Sequence, residues 1–376
     1  MIHECIIVVG FFSEVFDLNR LIGIDFARAL AVFGMVIVNF KVAMNADDGA
    51  STLHYFASLF EGRASALFII LAGIGITFMT KKAILSGVSV NIKKSRWSLI
   101  KRALLLVFIG LGYTPIWEAD ILHFYGFYFL IAACLFTLSD KALLFIAAGF
   151  VLGFPMLWGF FDYEQGWDWA TLTYKGLWTL DGMIRHVVFN GFHPIFPWCG
   201  FLIFGLWLGR QDLSNYLVRR SVFKWSFSIL VMTEVVFYLL RLLAGDGISV
   251  GMSKDEIDFI LSTSIIPPLP QYMLSAGSSA ILVLLGCLKL TQVFPASRLN
   301  DWLSKTGQMS LTLYVAHVII GMGILEAVGL LYNQSIQVSL LASLLFCIAS
   351  VMFSVFWLSR FKSGPLEWLF KKLSQA

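Results

Sequence analysis

Residues 20–40, RLIGIDFARALAVFGMVIVNF, and 53–78, LHYFASLFEGRASALFIILAGIGITF, decide how the chain is read. Each is an apolar run long enough to cross a bilayer, which takes about 20 helical residues. Each also carries ionisable groups: Arg20, Asp25 and Arg28 open the first, and His54, Glu61 and Arg63 stand at the outer end of the second. A charge near the bilayer centre costs roughly 3 kcal/mol unless it is paired or faces water. Their retention in the first two helices points to use.

The rest of the composition agrees. Of 376 residues, 59% are hydrophobic and 13% charged, and the mean hydropathy is +0.82. Soluble domains are nearer a quarter charged. Ten apolar segments read as spans: 21–43, 64–80, 98–116, 121–138, 142–161, 194–209, 225–244, 272–291, 308–328 and 338–358. The fold class is therefore an all-α polytopic membrane protein of about ten transmembrane helices. A β-barrel is excluded, because its strands alternate over about ten residues. The reading divides the chain into an interfacial segment, 1–19, one membrane domain, 20–372, with an outer loop over 162–193, and a short tail, 373–376. The start of the chain lacks the basic region and small-residue cleavage site of a signal peptide.

Basic residues set the orientation. With both termini cytoplasmic, twenty of the 27 Lys and Arg fall on the inner side, as the positive-inside rule requires. The charge of +4 thus reflects topology, not a nucleic-acid partner. The five cysteines are scattered, without a CxxC pair, so neither a disulfide framework nor a zinc site is expected.

Several residues are candidates for chemistry. Asp25 and Arg28 lie three apart on one helical face and read either as a self-contained ion pair or, with Arg20, as an anion site facing the cytoplasm. Phosphate suits guanidinium through bidentate hydrogen bonds, and basic residues up to Lys101 and Arg102 extend the patch. His54 sits at the outer entrance of the second span, with a ring that can take a proton near neutral pH. Glu61 and Arg63 follow it, to orient the ring or bind an acceptor. His193 lies in NGFHPIFPW, where two prolines and a preceding Asn-Gly break the helix. His123, in DILHFYGFY, opens the fourth span from the same side. His317 is deeper and reads as a hydrogen-bonded packing residue, and His186 reads as solvated. The 162–193 loop, rich in Trp, Tyr and Asp, is read equally as an aromatic belt at the headgroup level or as a sugar-facing surface. No serine-hydrolase motif, metal-ligand spacing or glycine-rich phosphate loop is present.

Five stretches in order resemble the transmembrane acyltransferase superfamily, in its heparan-α-glucosaminide N-acetyltransferase and bacterial YeiB-like (DUF418-type) branches. They are the first helix with its Asp-x-x-Arg pattern, LFEGRASALFIILAGIG, NGFHPIFPWCGFLIFGLWLGR, GQMSLTLYVAH and SGPLEWLFKKL. Asn39 stands where the related O-acyltransferase branch carries a histidine. The resemblance implies a multi-pass inner-membrane enzyme that takes an acyl group, usually acetyl, from cytoplasmic acyl-CoA. The acceptor is a hydroxyl or amine of an extracytoplasmic saccharide or similar molecule. It implies His54 as general base with Glu61 and His193, and donor contacts from Arg20, Asp25, Arg28, Lys101 and Arg102. Arg63, His123, Trp198 and His317 fall to the acceptor. No metal is called for, since a thioester is already activated. Alternatives are a polar-solute transporter using Glu234 and Arg241, and a non-catalytic membrane partner; monomer and homodimer both stay open.

Overall fold

The computed structural model describes residues 2–169, 171–245 and 251–375, with side chains from Ile22 onward. From Ile2 on, the backbone of the expected 1–19 segment is the first part of α1, while the side chains up to position 21, Arg20 included, lie outside what is described. Sixteen α-helices appear among these residues: α1 (Ile2–Ala43), α2 (Ser51–Ser58), α3 (Arg63–Ser86), α4 (Ser89–Tyr113), α5 (Leu122–Leu135), α6 (Asp140–Trp158), α7 (Leu180–Arg185) and α8 (Ile195–Arg210) come first. They are followed by α9 (Tyr216–Ala244), α10 (Lys254–Leu261), α11 (Pro270–Val293), α12 (Arg298–Gln308), α13 (Ser310–Ala316), α14 (Gly323–Ala327), α15 (Ile336–Leu358) and α16 (Pro365–Gln375). Residues 373–375, expected as a tail, form the last turn of α16.

Seven of these helical stretches are long and apolar enough to cross a membrane, or eight if α7 and α8, bent by 53° at their junction, form one broken span. Helices also occupy the two remaining expected spans. In α4 the run from Arg96 onward keeps Lys101 and Arg102, and α5 has only 14 residues, so neither qualifies on length and composition alone. The break over 191–194 falls where Gly191 and Pro194 remove helical continuity.

The chain folds as two compact units. The first comprises residues 1–68, 212–228 and 278–369. Its centre is α1, which packs against α12, α13 and α15, while α2 packs on α1 and α15. Ile24, Ala27, Ala31, Val32, Met35 and Val36 are buried along α1, the three-to-four spacing of a helix face. Any side chain at Gly307 would overlap the backbone of Asp25, so α12 crosses α1 in direct main-chain contact.

The second unit comprises residues 69–211, 229–277 and 370–376. Here α4 packs on α5, α6 on α8, and α5 on α8. A side chain at Gly73 would meet the backbone of Leu202 and Gly205. This is the small-residue packing by which membrane helices approach closely. The loop expected over 162–193 is folded. It contains an antiparallel hairpin, β1 (Trp167–Asp168) and β2 (Thr173–Tyr174), with Trp167 opposite Tyr174, then α7 and a wide helical turn over His186–Asn190.

Candidate active site

In the first unit the candidate residues are strung along α1. Near one end the Arg28 guanidinium donates to Asp25 at 2.5 Å, the three-residue pairing expected from spacing. Both side chains are only partly exposed, at 26% and 15%. A cleft of about 460 Å³ opens beside this end, lined by Ile22, Asn300, Ser304, Lys305, Gln308 and Lys362 among others. Lys305 is held by Asp301 at 2.7 Å.

Eleven residues further along α1, Asn39 Nδ2 lies 2.9 Å from His317 Nε2. The other ring nitrogen of His317 faces the Tyr314 carbonyl, so Nδ1 carries the proton and Nε2 accepts from the Asn39 amide. His317 is fully buried and satisfied. Two residues on, Lys41 donates to Glu61 at 2.8 Å.

His54 lies on α2, which ends at Ser58, and Gly62 at φ +66 turns the chain into α3. Glu61 therefore sits in the turn, beyond the helix that carries His54, and has Lys41 as a partner. His54 Nε2 is shielded from solvent and has no hydrogen-bond partner among the described residues. Arg63 Nη1 donates to Ser279 Oγ at 3.1 Å.

The second unit assembles a different constellation, centred on a residue not singled out from sequence. Asp120, two positions before α5, is fully buried. Its Oδ1 accepts from Tyr113 OH (2.6 Å) and Leu122 N (2.8 Å). Its Oδ2 accepts from His123 N (3.0 Å) and lies 2.8 Å from His123 Nδ1. Burial opposes ionisation here, but the hydrogen bonds from His123, Tyr113 and the Leu122 amide outweigh it and hold the carboxyl below its ordinary range. The carboxylate thus fixes the proton of His123 on Nδ1 and leaves Nε2 as an acceptor, the orientation in which an aspartate prepares an imidazole for proton transfer.

Around this dyad the rings close in. His186 stacks on His123 at 5.6 Å, and Trp198 meets His193 edge-on at 4.5 Å. Phe124 stands among the histidines, 3.9 Å from His123, 5.1 Å from His186 and 6.2 Å from His193. The expectation that His186 is solvated is corrected: it is 2% exposed, because Tyr174 and Trp167 of the hairpin lie over it at 4.7 and 6.0 Å.

Asn190 ties that hairpin down. Its Nδ2 donates to the carbonyls of Tyr163 and Gln165, both at 2.9 Å, and its Oδ1 accepts from Tyr174 OH at 2.9 Å. On its outer side Tyr174 lines a cleft of about 390 Å³ with Thr114, Glu118, Trp178 and Thr179. Burial raises the pKa of Glu118, against the hydrogen bond it accepts from Tyr174 N.

The structure thus joins His123, His193 and Trp198 in one cluster, and lines Arg28, His317 and Glu61 along α1. Arg102, on α4, has a buried Nε without a partner among the described residues, and Lys101 beside it is half-buried. Glu234 on α9 accepts from Thr263 and Ser275, which makes it a tether between segments. The signal that marks Asp120 in the sequence is its position three residues before His123 at a helix start.

Residues 20–239 match the family model described as heparan-alpha-glucosaminide N-acetyltransferase, catalytic. Residues 219–376 match a second one, described as a protein of unknown function (DUF418). The chain is also similar to a protein of Escherichia coli (strain K12) named "Uncharacterized protein YeiB". The two are 24% identical over 390 aligned positions, covering 95% of this chain and 97% of that protein.

Proposed function

Because the chain belongs to the heparan-alpha-glucosaminide N-acetyltransferase catalytic family, we propose that it is an inner-membrane acyltransferase moving an acetyl or related acyl group from cytoplasmic acyl-CoA to a hydroxyl or amine of an extracytoplasmic acceptor. His54 is the observation that carries the reading. A shielded imidazole nitrogen without a partner among the described residues is energetically disfavoured, which supports a role in accepting the proton that the acceptor loses as its oxygen or nitrogen attacks the thioester. The carbon–sulfur bond then breaks, and the leaving thiolate takes up a proton.

The geometry of α1 supports a donor lying along it. Arg28 and the cleft lined by Lys305 and Lys362 supply positive charge at one end, with Arg20 eight positions earlier in the sequence. Asn39 and His317 lie about 16 Å further along the helix, at 1.5 Å per residue. That matches the reach of a pantetheine arm, roughly 15–20 Å as a linker estimate. Asp25 then holds Arg28 in place rather than touching the anion. Glu61, paired with Lys41, acts on His54 only through the local field.

The test is incubation of the purified full chain with labelled acetyl-CoA and candidate saccharides, comparing wild type with His54→Ala and Arg28→Ala. The expectation is loss of transfer in the first and weaker acetyl-CoA binding in the second. Transfer that survives His54→Ala removes His54 from the reaction. Absence of any acetyl-CoA binding in wild type favours a transporter instead.

A further inference from the structure

Five buried ring nitrogens of the second unit have no hydrogen-bond partner among the described residues. They are His123 Nε2, His186 Nδ1, both nitrogens of His193, and Trp198 Nε1. Isolated orphans of this kind are uncommon in folded proteins, and each asks for an explanation. Five in one cluster ask for a ligand.

The chemistry of that ligand follows from what the nitrogens offer. His123 Nε2 is an acceptor, since Nδ1 faces the Asp120 carboxylate at 2.8 Å. Trp198 Nε1 is a donor only, and a neutral His193 presents one donor and one acceptor. The set therefore holds at least two of each. An ammonium, which only donates, would leave Trp198 and one His193 nitrogen unpaired. A carboxylate or phosphate, which only accepts, would leave His123 Nε2 unpaired and face the charge of Asp120. A hydroxyl both donates and accepts. Among the described residues, no Lys or Arg is hydrogen-bonded to these nitrogens.

We propose that the Asp120–His123 dyad with His186, His193 and Trp198 forms a binding site for a neutral, polyhydroxylic ligand, whose hydroxyls donate to His123 Nε2 and accept from Trp198 Nε1. The cleft beside Glu118 and Trp178 borders the cluster. Tyr174 is shared by that cleft and the cluster, and Phe124 fills the space between the three histidines. The proposal goes beyond the acyltransferase reading: it concerns residues of the second unit other than His54 and names a ligand class for that cluster alone. Its test uses no acyl donor, so the two readings fail separately.

The probes are glycerol and serinol, its analogue with an ammonium in place of the central hydroxyl, added to the full chain in glycerol-free detergent at pH 7.5. The readout is the ¹⁵N resonance of His123 Nε2 in protein labelled at its six histidines, assigned by its loss in His123→Gln. Glycerol shifts the resonance in a saturable way, serinol binds at least roughly tenfold more weakly, and Trp198→Phe weakens glycerol by a similar factor. A response to glycerol confined to Phe124→Ala also supports the site, with Phe124 as its plug. Equal or tighter binding of serinol overturns the proposal. So does silence toward glycerol in both wild type and Phe124→Ala, or glycerol affinity unchanged by Trp198→Phe.

Discussion

Asn190→Ala isolates what holds the hairpin over the histidines. Asn190 is fully buried and its side chain makes three hydrogen bonds, to Tyr163 O, Gln165 O and from Tyr174 OH. At about 1 kcal/mol net for each, alanine removes roughly 3 kcal/mol. The Tyr163 carbonyl loses its donor, whereas Tyr174 OH still accepts from Arg185 Nε at 2.8 Å. The Trp167 bond to the main-chain oxygen of residue 190, 2.6 Å, also survives. If the hairpin opens as a local unit, 3 kcal/mol raises its open population by about 150-fold, at 1.4 kcal/mol per decade. Amide hydrogen exchange of the full chain in detergent, read on peptides covering 163–175, measures this directly. The expected loss of protection is confined to those peptides. Lys175→Ala is the control: Lys175 pairs with Asp168 at 3.2 Å but is 73% exposed, and exposed pairs contribute little. A change in Asn190→Ala below about fivefold, or one spread evenly over the chain, refutes the assignment of Asn190 as the clamp.

Three further outcomes follow. Asn39→Ala removes the hydrogen bond to the buried Nε2 of His317 and lowers stability by about 1–3 kcal/mol; in a thermal-unfolding cycle with His317→Ala the double variant loses less than the two single losses combined, and strict additivity counts against the pair. Gly307→Ala forces α12 away from the main chain of Asp25, with a loss of about 1–3 kcal/mol from overpacking, and an unchanged unfolding midpoint rejects that close crossing. Glu367 accepts from Leu311 N, Thr312 N and Thr312 Oγ1, yet burial outweighs these bonds and raises its pKa above the ordinary 4.5. The folded state therefore binds the proton more tightly. The stability linked to Glu367 is fully present below pH 4.5 and is lost as pH rises through the folded value. Glu367→Gln flattens this part of the pH–stability curve, and an identical slope in the variant refutes the attribution.

What is legible in the chain depends on the range of the interaction. Continuous apolar runs give the membrane class because backbone polar groups in lipid must be satisfied within a helix. The Asp25–Arg28 pair is legible because both partners share one helix face. The break near His193 is legible because Pro194 and Pro197 cannot continue a helix. The Asn39–His317 pair spans 278 positions, and no local pattern announces it. His186 misleads for the same reason: a polar residue after a polar loop looks solvated until the hairpin folds back, and that fold depends on Asn190 reaching carbonyls 25 and 27 residues earlier. Proximity in sequence matches Glu61 to His54, but Gly62 turns the chain and Lys41 takes the carboxylate. Asp120 is within reach of local reasoning, since an aspartate ahead of a helix start commonly accepts from its first amides. Its additional hold on the His123 ring is hidden in the same three-residue spacing.

The two imidazole settings make different demands, and this separates them as sites. His54 has one shielded nitrogen and partly exposed surroundings, so a single acceptor proton completes it. The cluster of the second unit has donors as well as acceptors and a carboxylate already saturated by four bonds, so a proton alone completes nothing there; a ligand must both give and take hydrogen bonds. A purely structural cluster has no such requirement, because replacing both partners of a buried bond by apolar groups is close to neutral whereas stranding one is not. Phenylalanine already stands at position 124 among these rings, which shows that the local packing accepts an apolar aromatic side chain. Histidines beside it, each with at least one ring nitrogen unpaired among the described residues, are therefore better explained by what they bind than by how they pack.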